Sequence, residues 1–362
     1  MTSPGPRWRE AAETAETALA YSGGVIDRAA SQRSDPGFLD ATFATASTRL
    51  IPMWRDQCVV SGEPAVPVIL PAAEAGAVMN AAAEVVFLGL DDRGGIFAAD
   101  LSPASESLAV EAAGGERVLD VRALVGTLGP AEAALLGYAR GILYWHRHQR
   151  YCGSCGSPTR MGHGGHLRTC QNQACARLHF PRVEPAVIML VEKQGRCLLA
   201  RHKGSAAGSY STLAGFVGVC ESLEDAVRRE VAEETGVPVG TVTYMASQGW
   251  PFPSGLMIGF RATALAETVH VDGEEVIEAR WFTRAGLAEH AAAAGRLGRE
   301  DSTGTCSAPG WRKPPDDPAA LIVKPRRQPV DNAKVIHRRQ NGPGPRTPAA
   351  ACWRNGTNPH RG

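Results

Sequence analysis

Between residues 48 and 125 apolar residues come in short runs broken by Gly, Pro and Asp, the pattern of short strands and turns. Pro67–Leu70 and Val85–Leu90 read as strands, and Asp91-Asp92-Arg93-Gly94-Gly95 before Ile96 reads as a hairpin turn. From Pro130 the period changes. Leu135, Tyr138, Ile142 and Trp145 recur at three- and four-residue steps, one stripe of a helix over 130–149 with Pro130 in its first turn. Pro185–Val191 is a continuous apolar run suited to a buried strand, and Cys197–Ala200 is its hairpin partner across Lys193-Gln194-Gly195. A helix over 222–235 and strands near 241–246, 256–265 and 279–282 complete an α/β (α+β) pattern. No internal repeat is visible.

The ends differ from this. Residues 1–36 are rich in Ala, Ser and Gly with mixed charge, which predicts a loosely ordered arm. Ten of the 25 prolines lie between Pro309 and Pro359, among Arg, Asn and Gly, which predicts a disordered tail over 291–362. The segments between divide into an N-terminal mixed α/β domain (37–148), a cysteine-bearing segment (149–180) and a second domain (181–290).

Composition narrows the function classes. At 362 residues and 44% hydrophobic content the chain can bury two cores. It has neither an apolar run of membrane-spanning length nor an N-terminal apolar region before a cleavage site, so a cytoplasmic protein with no membrane partner is expected. A net charge of +1 supplies no global field for nucleic acid. Of nine cysteines, four cluster as Cys152-x2-Cys155-x14-Cys170-x4-Cys175, and Cys58, Cys197, Cys220, Cys306 and Cys352 are scattered. Two close pairs at this separation suit Zn²⁺ held tetrahedrally by four thiolates, a structural site with no open position; buried free thiols are the plainer alternative.

The segment with most chemistry is Gly215 to Val237. Ser222 suits an N-cap with Asp225 at N3, and Gly236 suits a left-handed stop. At 100° per residue Leu223, Ala226, Val227 and Val231 share one face, and Glu230, Glu233 and Glu234 continue it. Carboxylates there oppose the helix dipole, repel one another and cost desolvation energy. A hard divalent cation removes those costs, since Mg²⁺ prefers oxygen ligands.

The spacing G-x5-E-x7-R-E-U-x-E-E-x-G-U, with U aliphatic, is met at every fixed position and resembles the Nudix box. The resemblance implies a Nudix fold, a mixed sheet between helices, and hydrolysis of a nucleoside diphosphate linked to a further group. It implies that Glu230, Glu233 and Glu234 bind catalytic Mg²⁺ or Mn²⁺, that the Ala214 carbonyl adds a ligand, and that Glu221 and Arg229 brace the box as an ion pair. Ser247-Gln248-Gly249-Trp250-Pro251-Phe252-Pro253-Ser254-Gly255-Leu256-Met257 resembles the SQPWPFPxS signature of the NADH pyrophosphatase family, with Gly249 and Gly255 as departures. Trp250 and Phe252 offer faces for stacking a nicotinamide or adenine ring, on a loop stiffened by Pro251 and Pro253. Ser247, Gln248, Ser254 and Met257 complete that expected substrate surface.

This family carries a zinc ribbon where the four cysteines lie. By the same resemblance Phe180 reaches the nicotinamide side, from the partner subunit of a homodimer, Phe216 stacks on adenine, and Glu275 is a distal metal ligand with Glu274 and Glu278 as fallbacks. The resemblance covers about residues 85–290; the family's closing Pro-rich turn and helix have no match. It implies cleavage of NAD(H) to NMN(H) and AMP and removal of NAD caps from RNA. The basic residues Arg160, Arg168, Arg177 and Arg182 near the cysteines suit a nucleic-acid-binding zinc module or, instead, the steering of an RNA 5′ end toward the site. Competing readings are hydrolysis of another dinucleotide, such as ADP-ribose or a dinucleoside polyphosphate, and a nucleotide-binding homologue without turnover.

Overall fold

The computed structural model describes residues 19–22, 24 and 26–297, with residues 291–297 as backbone only. The expected tail over 298–362 and the first 18 residues of the expected arm lie outside the described residues. The described part of the arm is packed: Tyr21 is buried, and Asp27 exchanges backbone hydrogen bonds with Leu90 at 2.8 and 2.7 Å.

After helix α1 (Pro36–Phe43) come β1 (Arg49–Trp54), β2 (Gln57–Ser61), β3 (Val66–Pro67) and β4 (Leu70–Pro71). Helix α2 (Gly76–Ala81) precedes the hairpin β5 (Val85–Asp91) and β6 (Gly94–Asp100). Helix α3 (Glu106–Ala112), β7 (Arg117–Asp120), α4 (Val121–Leu124) and α5 (Pro130–His148) follow. The seven strands form one sheet in the order β3-β2-β1-β6-β5, with β4 and β7 pairing off the path. The β5–β6 hairpin turns where the sequence predicts. The β1–β2 hairpin does not announce itself: β1 carries Pro52, and the turn uses Arg55 (φ 44°) and Asp56 (φ 70°) where glycine or asparagine is usual. The single strand expected over 67–70 is instead two short pieces.

Helix α5 has no single buried stripe. Leu136, Ala139, Ile142 and Leu143 are buried, but so are Gly137, Arg140 and His146. Leu135 and Tyr138 are only half buried. The helix lies between the N-terminal sheet on one side and Trp250 and Phe252 on the other, so several of its faces are covered.

The cysteine segment makes a three-stranded ribbon of β8 (Thr159–Gly162), β9 (Leu167–Cys170) and β10 (Leu178–His179). The second domain holds β11 (Glu184–Lys193), β12 (Arg196–His202), β13 (Leu213–Phe216), α6 (Leu223–Thr235), β14 (Val239–Trp250), β15 (Gly255–Ala264), β16 (Val276–Thr283) and α7 (Arg284–Leu297). Helix α7 therefore continues past residue 290, where the disordered tail was expected to begin. The six-stranded mixed sheet runs β14-β15-β11-β12-β16, with β13 on β11 and the β11–β15 pair parallel. Its core, including Val187, Met189, Val191 and Phe260, packs against Ala226, Val227 and Val231 of α6. Full burial of such side chains stabilises by about 1.5–3 kcal/mol each.

The absence of sequence repeats hides a structural one. The order β2-β1-β6-β5, with β1 and β6 parallel, has the same connectivity as β12-β11-β15-β14, with β11 and β15 parallel. The fold is mixed α/β, as expected. Among the described residues no helix is long and apolar enough to cross a membrane.

Candidate functional site

Helix α6 starts and stops as its sequence dictates. Ser222 Oγ accepts from the Asp225 N–H at 3.1 Å, and Gly236 takes the left-handed conformation (φ 68°) that ends the helix. The carboxylates then fall where the helical period puts them, with unequal burial: Glu234 is buried at 5% exposure, whereas the Glu233 side chain is 60% exposed. Glu230 lies against Gly215 of β13 so closely that a Cβ at residue 215 would overlap its carboxylate.

Arg229 organises the group. Its Nε and Nη2 donate to the two oxygens of Glu221 at 2.7 and 2.8 Å, and Nη2 also reaches the Phe216 carbonyl at 2.9 Å. Its Nη1 donates to Glu230 at 2.8 Å and Glu233 at 3.0 Å. Arg229, then the Gly218 N–H, hold the Glu221 carboxyl down to about 2. Burial pushes Glu230 up, and pushes Glu234 up to about 8 with help from the charges of Glu230, Glu275, Asp272 and Glu233. Glu234 Oε2 is buried with no hydrogen-bond partner. A buried, unpartnered carboxylate oxygen among other carboxylates is a costly arrangement for a protein without a cation.

The residues expected downstream separate. Glu275 is exposed, and its charge acts on both Glu230 and Glu234. Glu278 is committed elsewhere, to Arg201 at 3.1 Å and to Arg280, and Glu274 is exposed. Asp272, which the sequence does not single out, accepts from the Glu275 and Val276 N–H groups at 2.9 Å each and so shapes the turn that presents Glu275.

Strand register draws part of the expected substrate surface into one line. Phe216 pairs with Ala186, Ala186 with Met257, and Met257 with Gln248, a row across β13, β11, β15 and β14 whose side chains share one face. Gly215, the next residue, points the other way toward Glu230. Phe180 and Phe216 are 51% and 55% exposed. Ser247 is exposed, and Ser254 Oγ donates to the Arg182 carbonyl at 3.0 Å.

The expectation for Trp250 and Phe252 needs correcting. Strand β14 runs through Trp250, so only residues 251–254 form the turn. The Phe252 ring has the Arg122 and Arg140 guanidinium carbons over it at 4.2 and 4.6 Å, and Tyr21 and Trp250 edge-on at 5.4 and 5.0 Å. That cage leaves little of the ring for a ligand. Pro251 is buried and Pro253 half buried in the same contact.

Residues 181–299 match the NUDIX domain, and residues 47–145 match the NADH pyrophosphatase-like rudimentary NUDIX domain. The chain carries a Nudix domain and a rudimentary counterpart of it. Among curated relatives, an NAD-capped RNA hydrolase of Homo sapiens is 45% identical over 161 residues, 42% of this chain and 35% of that protein. The NAD-capped RNA hydrolase NudC of Stutzerimonas stutzeri is 44% identical over 168 residues, 46% of this chain and 60% of that protein. A mitochondrial NAD(P)H pyrophosphatase of Homo sapiens is 39% identical over 168 residues, 46% of this chain and 47% of that one. This Nudix chain thus spans between 35% and 60% of the length of these relatives. The two matched regions coincide with the two sheets of like connectivity.

Between the Nudix domain and its rudimentary counterpart, the ribbon gathers the four cysteine sulfurs within 4.8 Å of one another, the arrangement a metal ion requires. Cys155 and Cys170 sulfurs are 3.4 Å apart, and those of Cys152 and Cys175 3.8 Å. The longer second spacing closes because Asn172 turns the chain, its Oδ1 accepting from the Ala174 N–H at 3.0 Å and its carbonyl from the Cys175 N–H at 3.0 Å. Arg168 is no part of a basic surface. It is buried, donating to Glu84 at 2.7 Å, to Thr159 Oγ1 at 2.8 Å and to His146 Nδ1 at 2.7 Å. Arg160, Arg177 and Arg182 are exposed.

Proposed function

We propose that this Nudix chain hydrolyses the pyrophosphate bond of NAD(H) to NMN(H) and AMP, and removes the NAD cap from RNA 5′ ends. The observation that carries the reading is the buried, unpartnered Glu234 oxygen among Glu230, Glu233 and Glu275, on the helix that packs against β13, the strand that presents Phe216. Glu230, Glu233, Glu234 and Glu275, with the Ala214 carbonyl, would hold Mg²⁺ or Mn²⁺. When bound, the cation neutralises pyrophosphate oxygens and acidifies water. The chain's own part is positional and acid–base. Arg229 and Glu221 fix the carboxylates, and one carboxylate takes the proton of the attacking water. One P–O bond forms to that water and the bridging P–O bond breaks. Phe216 serves the adenine and Phe180 the nicotinamide side, with Met257 in the same row as Phe216; Gln248, buried on the Ala20 carbonyl, Ser254, bonded to the Arg182 carbonyl, and Ser247, on the opposite face of β14, support that surface.

Zn²⁺ on Cys152, Cys155, Cys170 and Cys175 would be structural, since four thiolates complete its shell. The half-exposed or more exposed Tyr151, Leu178, Phe180 and Val183 support a homodimer. None of the seven cysteines among the described residues is joined in a disulfide, which suits a reducing compartment such as the cytoplasm.

The purified protein is expected to release AMP from NADH with Mn²⁺, and a Glu233→Gln/Glu234→Gln variant to release none. Faster cleavage of ADP-ribose or a dinucleoside polyphosphate than of NADH would move the reading to that substrate, which the caged Phe252 ring makes the leading alternative. NADH binding without turnover would make the chain a nucleotide-binding homologue. Gly215→Ala is expected to displace Glu230 and weaken Mn²⁺ binding by about 10–100-fold, as loss of ligand orientation does. Mn²⁺ titration followed by electron paramagnetic resonance measures this, and unchanged affinity would show that the carboxylate does not need its present seat.

A further inference from the structure

The turn at residues 251–253 belongs to the Nudix domain but is held by its rudimentary counterpart. Gly137 and Gly141 stand one turn apart on α5, and Pro251 seats over them. A Cβ at Gly137 would lie 3.0 Å from Pro251 Cγ and 3.1 Å from the Tyr21 ring, and one at Gly141 would lie 4.0 Å from Pro251 Cβ. Between the two glycines Arg140, 7% exposed, donates from Nη1 to the Pro251 carbonyl and, at 3.4 Å, to the Pro253 carbonyl. Its guanidinium also lies over the Phe252 ring, and its Nη2 faces Asp56 of the β1–β2 turn at 3.8 Å. Tyr21 also abuts Trp250 and Phe252, and Gln248 Nε2 donates to the Ala20 carbonyl at 2.8 Å.

We infer that the rudimentary domain is a positioning module for the substrate surface, with Arg140 as the positioning residue and Gly137 and Gly141 as its socket. The gripped turn joins β14 to β15, the strands that carry Gln248 and Met257 in the row beside Phe216. A shift of the turn moves that row and leaves the carboxylates of α6 where they are. The device therefore sets substrate affinity, not the chemistry of the cleavage. This rests on the proposed dinucleotide reading for its substrate, but the grip itself is independent of it. Arginine is required because lysine offers a point charge with no planar fork to span two carbonyls and lie on a ring.

Two variants test this, Arg140→Lys and Gly137→Ala. Alanine is the better helix former, so Gly137→Ala disturbs the seat of Pro251 without weakening α5 itself. With NADH and Mn²⁺, both are expected to raise KM roughly 10- to 100-fold, the cost of misplacing a substrate contact by about an ångström, with kcat within about twofold. Hydrogen exchange is expected to speed up at amides 248–257 and to stay unchanged in α6. A fall in kcat at unchanged KM, or unchanged exchange at 248–257, overturns the inference. If the wild type does not cleave NADH, the substrate reading fails alone, and the exchange data decide the grip: faster exchange supports it and unchanged exchange overturns it.

Discussion

Glu234→Gln is expected to remove nearly all turnover and at the same time make the protein without added Mg²⁺ or Mn²⁺ more stable at pH 8. The first effect follows if Glu234 holds the cation. Metal-derived stabilisation of transition-state charge amounts to several kcal/mol. At about 1.36 kcal/mol per tenfold, its loss is on the order of 10³-fold in rate. The second effect is a matter of proton linkage. The Glu234 carboxyl is raised to about 8 in the folded chain, mainly by burial, whereas an unfolded Glu titrates near ~4.3. Between those values the folded state binds the extra proton. Stability is then fully present below the unfolded value and falls as pH rises, by up to about 1.36 kcal/mol per pH unit, until the folded group ionises near pH 8. Glutamine carries no such proton, so the variant should lose this slope. Denaturant unfolding at pH 5, 6.5 and 8 without added divalent cation measures it, and added Mn²⁺ should flatten the wild-type profile. Equal slopes for both proteins would show that Glu234 is not the group that the folded state keeps protonated.

Removing the metal from the ribbon, by a strong chelator or by Cys170→Ser, is expected to unfold residues 150–180 and lower the stability of the whole rudimentary domain. The three strands are too short for a core of their own: only Leu167 and the thiol-bearing Cys152 and Cys170 are buried apolar residues there. Zinc on four thiolates contributes about 10–16 kcal/mol in small zinc modules, as much as the whole stability of a typical domain at about 5–15 kcal/mol. Loss of the ribbon also strips partners from the half-buried Glu84 and the buried His146. Glu84 loses Arg168, and His146 loses both Arg168 and the Gly165 carbonyl it donates to at 2.7 Å. Burial pushes the Glu84 carboxyl up, and His146 and Arg168 outweigh that to hold it low, so a Glu84 left with His146 alone takes up a proton more readily. Limited proteolysis and a thermal melt with and without chelator check this, together with zinc content by mass spectrometry. A protein that binds no zinc, or melts identically after losing it, would reduce the four cysteines to ordinary thiols.

The site was more legible in the sequence than the scaffold around it. Helix α6 states its own boundaries through Ser222 and Gly236, and a local period is enough to bring Glu230, Glu233 and Glu234 together. Cysteine spacing likewise foreshadowed a convergence that only Asn172 makes geometrically possible for Cys175. What stayed hidden depends on distant partners. Phe252 and Trp250 are aromatic in either role, and only contact with Arg122, Arg140 and Tyr21 decides that they serve as an anchor. Arg140 looks like a misplaced charge in the helix pattern until the Pro251 carbonyl appears opposite it; the flanking Gly137 and Gly141, one turn from each other, were the available signal of a close approach. Asp272 works through backbone N–H groups, which leave no trace in side-chain pattern. The β1–β2 hairpin was missed because its turn uses ordinary residues in left-handed conformation, held by the sheet around them.

The shared strand order of the two sheets also speaks to ancestry. In the position where the Nudix half has thirteen-residue α6, the other half has six-residue α2, Gly-Ala-Val-Met-Asn-Ala, without a single acidic group. A half built without the carboxylate helix keeps only the constraints of contact. Its outer strands β3 and β7 are then free to drift in sequence, whereas the side of α5 that meets its sibling is not, and variation among descendants should be concentrated accordingly.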